Sequence, residues 1–112
     1  MKTSEMTDNE LDELIAVKRG WRNFTRYDED GLTVTWITPK NKPSIFGRIP
    51  HPTTDPRLAI ELLEEMFDDI VQITPTTHGY EIMLNTREDG ILKFTHSNFC
   101  RAITEAYSEF SK

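Results

Sequence analysis

A chain of 112 residues with 37% apolar and 29% charged content has the makings of one folded domain with a single core, not of a disordered tail. The net charge of −6 argues against a nucleic-acid binder that neutralises phosphates, which would need clustered Lys and Arg. No apolar run approaches the roughly 20 residues that cross a bilayer, Met1–Glu10 has no apolar leader core, and the one cysteine, Cys100, excludes an intramolecular disulfide and fits a reducing cytoplasm.

Residues 1–6 are expected to be a flexible N-terminus, and residues 7–112 one α+β domain. Thr7-Asp8-Asn9-Glu10 reads as a capping box, in which the Thr7 hydroxyl accepts from the Glu10 amide while Glu10 reaches back. Leu11, Leu14 and Ile15 follow at helical spacing, with Lys18 and Arg19 where the helix dipole favours cations and Gly20 as a left-handed terminator. This predicts a first helix over residues 8–19, with Trp21 folding back on it.

Residues 21–27 alternate weakly, as an irregular strand would. Asp28-Glu29-Asp30-Gly31 is a turn signal, and Leu32, Val34 and Trp36 alternate with Thr33, Thr35 and Ile37, which predicts a hairpin. From Thr38 to Pro56 the density of prolines blocks helix and central-strand pairing, leaving room only for a brief edge strand at 44–49. Asp55 suits a helix cap and Pro56 a first turn. Ala59, Leu62, Leu63, Met66, Phe67 and Ile70 then repeat at helical spacing, which leaves Glu61, Glu64, Glu65, Asp68 and Asp69 on the outer face.

Three β-type segments follow, at 71–74, 80–84 and 91–94. Pro75 and Gly79 bound one turn, and Asp89-Gly90 closes another. Ser97 is placed to cap a last helix whose Phe99, Ala102, Ile103, Ala106, Tyr107 and Phe110 form a second apolar stripe. The expected architecture is α+β: a mainly antiparallel sheet of four to five strands layered with three helices, in an α/β/α sandwich-like arrangement.

Three segments also resemble a known family. Leu11-Asp12-Glu13-Leu14-Ile15-Ala16-Val17-Lys18-Arg19-Gly20-Trp21, then Pro50-His51-Pro52-Thr53-Thr54-Asp55 with Ala59 and Leu62-Leu63-Glu64-Glu65-Met66, and finally Phe99-Cys100-Arg101-Ala102-Ile103 look like the opening, the approach to the middle helix and the last helix of the phage ABA-sandwich domain proteins. The family usually has one more residue before the Gly-Trp pair, a serine where Thr53 stands, and more alanines in its last helix. The resemblance implies an α/β/α layered fold and an origin in a phage or prophage, hence a site of action in the bacterial host cytoplasm. It carries over no catalytic residue.

Candidate chemistry is sparse. His51, His78 and His96 are not at metal-ligand spacing from one another, so no metal or cofactor is expected. His96 and Cys100 stand four apart, but a cysteine nucleophile needs a base in reach and a lowered pKa, and a buried structural thiol is the simpler reading. Asp28-x-Asp30-Gly31 lacks the other ligands of a calcium loop. There is neither a G-x-S-x-G motif nor a Gly-rich phosphate loop, and no enzyme is expected.

Two binding surfaces then compete. The acidic face formed by Glu61, Glu64, Glu65, Asp68 and Asp69 suits a basic groove on a host protein, such as a defence component; its plainer role is to keep the protein soluble. Alternatively Arg22, Arg26, Lys40, Lys42 and Arg48, with Trp21 or Tyr27 as a stacking platform, would sequester an anionic nucleotide. Phosphate-backbone binding and membrane association are disfavoured, and a homo-oligomer is left open.

Overall fold

In a computed structural model, which describes residues 5–42, 48–86 and 88–110 (backbone alone at 24–26, 28, 33 and 34), Thr7 and Glu10 form the expected capping box. Thr7 Oγ1 accepts from the Glu10 amide and Glu10 Oε1 from the Thr7 amide, each at 3.1 Å. Helix α1 runs Asp8–Lys18. Gly20, at φ +96°, lets the chain reverse so that the Trp21 amide donates to the Ala16 carbonyl at 2.9 Å. That reversal brings Trp21 back onto α1, as expected.

Strands β1 (Arg22–Asp28) and β2 (Gly31–Ile37) form an antiparallel hairpin in which Asp28 stands opposite Gly31. Trp36, Ile49 and Ala16 are buried together, with Trp21 packed on them, and this small cluster roots the hairpin on α1. At the other end of the hairpin Tyr27 and Leu32 face each other across the strands and are 83% and 57% exposed. The edge strand expected at 44–49 lies largely outside the described residues.

Helix α2 (Pro56–Met66) starts as its sequence requires: Asp55 Oδ1 accepts from the Arg57 amide at 3.0 Å, and Pro56 occupies the first turn. Ala59, Leu62 and Met66 are buried. Phe67 does not continue that stripe and is 73% exposed. The chain tightens into a 3-10 turn over Phe67–Asp69, whose three-residue repeat takes Phe67 off the apolar face that a continuing α-helix would have kept.

Strands β3 (Ile70–Thr76), β4 (Gly79–Thr86) and β5 (Gly90–His96) form an antiparallel sheet in the order β3-β4-β5. Ile73, Ile82 and Phe94 stand abreast on one face, as do Ile70, Leu84 and Leu92. Pro75 lies within β3, which is an edge strand among the described residues, where a missing amide donor is tolerated. Gly79 is dictated by space: a Cβ there would lie 2.2 Å from the His96 carbonyl oxygen.

Helix α3 (Phe99–Glu109) is capped by Asn98 and not by Ser97; Asn98 Oδ1 accepts from the Cys100 amide at 2.9 Å. It packs on β4 and β5, and α1 and α2 pack against it in turn. Every residue from Arg101 to Tyr107 is therefore buried, including Arg101, Thr104 and Glu105, where a single apolar stripe predicts solvent. Arg101 donates to Asp8 Oδ1 at 2.7 Å and to the Met6 carbonyl at 2.6 Å, and its Nε lies 3.8 Å from Glu105. Burial raises the Glu105 carboxyl above its ordinary value, with Arg101 acting in the opposite sense.

The fold is α+β. Among the described residues it has three α-helices and two antiparallel sheets of two and three strands, so the sheet carrying the core is smaller than the four to five strands expected. Leu62→Ala should cost about 2–5 kcal/mol through the cavity it leaves, whereas Phe67→Ala should stay within about 0.5 kcal/mol. Urea unfolding of the two variants checks this directly, since the sequence pattern alone would rank them as equals.

Candidate functional site

Asp12 lies on the inner side of α1 and is 2% exposed. Its carboxylate accepts from the Thr53 amide at 3.1 Å, the Thr53 hydroxyl at 2.8 Å and His51 Nδ1 at 3.0 Å. The donors come from the Pro50–Asp55 segment, where the Thr54 and Asp55 amides both donate to the His51 carbonyl, at 3.1 and 2.9 Å. This compact turn delivers Asp55 to the cap of α2. An ionised carboxylate only accepts, so Asp12 holds His51 with its proton on Nδ1. A buried charge so supplied with donors is tolerable, where a bare one would not be.

Beside this clasp is a cavity of about 270 Å³. Trp21, Pro39, Pro50, Pro52 and Leu58 line it together with Ile15 and Ala16, and its polar groups are Asp12, Arg19 and Glu61. Arg19 is engaged elsewhere: its Nη2 contacts Glu65 Oε2 at 2.9 Å, and its guanidinium lies 5.9 Å from the centre of the Tyr107 ring. The Tyr107 hydroxyl donates to Glu65 Oε1 at 2.9 Å. Burial first, and Glu65 second, push the Tyr107 pKa up to about 12.

The acidic face is therefore divided. Glu61, Glu64 and Asp68 are exposed, and among the described residues their side chains have no hydrogen bond or ion pair. Asp69 is half-buried. Glu65 does not belong with them, because its oxygens bind Arg19, the cap at the end of α1, and Tyr107 on α3.

Among the described residues, those expected to hold a nucleotide are not brought together. Of the described members of that set, only Trp21 lines the cavity. The Arg22 guanidinium donates to the Asn41 side chain, Tyr27 is at the far end of the hairpin, and Lys40, Lys42 and Arg48 are exposed. The Arg26 side chain lies outside the described residues. At the start of α3, burial raises the Cys100 thiol above its ordinary value, the reverse of what a nucleophile needs. His96 Nδ1 accepts from the Asn98 amide at 2.9 Å. Among the described residues no three His, Cys, Asp or Glu side chains gather as a metal site, and no helix is long and apolar enough to cross a membrane.

Sequence reasoning missed Asp12, His51, Thr53 and Arg101. The only hints were an acid adjacent to the core residue Leu11 and a 50–55 segment dense in turn-forming residues. Comparison with protein-family models, curated proteins and solved structures found no match to this chain.

Asp12→Ala should destabilise the fold by about 3 kcal/mol, because it strands the Thr53 amide without a partner. Thr53→Val, which removes only the hydroxyl, should cost about 1.5 kcal/mol, and urea unfolding at neutral pH compares the two. Tyr107 adds a pH dependence. Its folded-state pKa lies above the ordinary value of 10.0, so the stability it contributes is complete below the unfolded pKa and is lost as pH rises toward about 12. The urea midpoint of the wild type should fall more steeply between pH 9 and pH 11 (roughly the span around an ordinary tyrosine pKa) than that of Tyr107→Phe.

Proposed function

We propose that this chain is a small accessory protein, encoded by a phage or prophage, that acts in the bacterial host cytoplasm by binding a host protein and blocking a defence component. The observation that carries the binding mode is the set of exposed carboxylates on α2 and on the 3-10 turn that follows it. Glu61, Glu64 and Asp68 lack side-chain partners among the described residues, while Ala59, Leu62 and Met66 fix the other side of the helix in the core. The backbone that bears the charges is thereby held, so little ordering remains to be done when a partner arrives. The phage setting is supported by the three segments that resemble the ABA-sandwich proteins.

In this reading the partner presents a basic surface. Complementary charge would speed the encounter, suppress wrong partners and make the complex weaken with salt. Glu65 serves a different purpose. Through Arg19 and Tyr107 it holds α2 against α1 and α3, so the exposed acids keep their spacing.

The test is protection from host defence. Produced in bacteria that carry individual defence systems, the wild-type protein should restore plaque formation by a sensitive phage against one of them. The Glu61→Lys/Glu64→Lys/Asp68→Lys triple variant, at equal protein level, should not. Full protection by the triple variant would remove the α2 face as the contact surface, and failure of the wild type against every system would remove the anti-defence role.

A further inference from the structure

We infer that the cavity between α1, Trp21 and the head of α2 is a socket for an arginine side chain of the partner protein. The inference rests on the protein-binding reading above and names the group that the acidic face receives.

Size is the first argument. At about 270 Å³ the cavity falls just below the roughly 300–1,000 Å³ of small-molecule sites, which suits one long side chain better than a whole nucleotide. The walls are the second. Trp21, Pro39, Pro50, Pro52 and Leu58 are apolar, and the prolines are conformationally stiff. A guanidinium is planar and weakly hydrated and stacks on aromatic faces, whereas a lysine ammonium is compact and strongly hydrated.

Charge decides between a cation and an anion. Two carboxylates, Asp12 and Glu61, face one cation, Arg19, and that cation is tied to Glu65 and drawn over the Tyr107 ring. Asp12 already receives Thr53 and His51, so it supplies field more than a bond. Glu61 has no side-chain partner among the described residues and is the group able to take a guanidinium in a two-pronged pair. It also belongs to the acidic face. An arginine seated against Glu61 would set its neighbours beside Glu64, one turn further along α2, and toward Asp68 in the 3-10 turn that follows it.

The test is NMR titration of the folded protein with the blocked tripeptide acetyl-Gly-Arg-Gly-amide. The lysine and glutamate counterparts and adenosine monophosphate serve as comparisons. The arginine peptide should shift the Trp21 indole and the Glu61 amide saturably, the lysine peptide more weakly, and the glutamate peptide and the nucleotide not at all. Glu61→Gln should weaken the arginine response about tenfold, as expected for loss of a charged pair. Trp21→Ala should abolish it; if that variant does not fold, the exposed Glu61→Gln still decides. No saturable response at tens of millimolar arginine peptide, or an equal response to adenosine monophosphate, overturns the socket. The two readings fail separately. Loss of protection in Glu64→Lys/Asp68→Lys, with no arginine response and an active Glu61→Gln, removes the socket and keeps the acidic face. A specific arginine response and lost protection in Glu61→Gln, together with full protection by Glu64→Lys/Asp68→Lys, removes the outer acids as the route to function and keeps the socket.

Discussion

One buried carboxylate governs the geometry around it. Asp12 reaches from α1 to a segment about forty positions later and gathers an amide, a hydroxyl and an imidazole. That segment has no strand or helix of its own to hold it, so its position comes from this clasp and from the turn closed on the His51 carbonyl. The segment in turn delivers Asp55 to the cap of α2 and places Pro50 and Pro52 in the cavity wall. Polar networks inside a protein are costly when incomplete and directional when complete, so this one fixes a particular arrangement where apolar packing alone would allow several.

A second clasp works at the start of α1. Arg101 joins α3 to Asp8 and to the Met6 carbonyl, so α1 is held by an ionic contact to α3 at its head and by hydrogen bonds to the 50–55 segment at its middle. Leu11 and Ile15 are buried alongside these contacts. Helix α3 needs such partners because it is enclosed by the sheet and by both other helices. Its Thr104 hydroxyl donates to the Cys100 carbonyl at 2.7 Å, which satisfies a polar group that would otherwise be stranded.

The acids of α2 illustrate how one compositional feature can hold two physical roles. Glu65 is internal wiring, bound to a guanidinium and a phenol. Glu61, Glu64 and Asp68 face outward. The proposed binding surface depends on that division, because the inner acid orients the helix that presents the outer ones. The same separation reverses the expected sign of the cavity: the described basic residues of the expected nucleotide set are dispersed, and the carboxylates of α1 and α2 converge.

What the sequence determined by itself was local. The Thr7–Glu10 box, the Asp55-Pro56 start, the reversal at Gly20 and the hairpin turn at 28–31 each depend on residues within a few positions of one another, and their hydrogen bonds close without help from elsewhere. The α+β class follows from periods of 3.6 and 2 that any short window reveals. Only the tertiary structure decided that the strands divide into two sheets, that α3 is buried on nearly all sides, that Phe67 faces solvent, and that Asp12 and Glu65 are spoken for. Apart from the local 3-10 turn at Phe67, each of these depends on a partner tens of residues away, and spacing along a chain carries no record of which distant donor a carboxylate will meet.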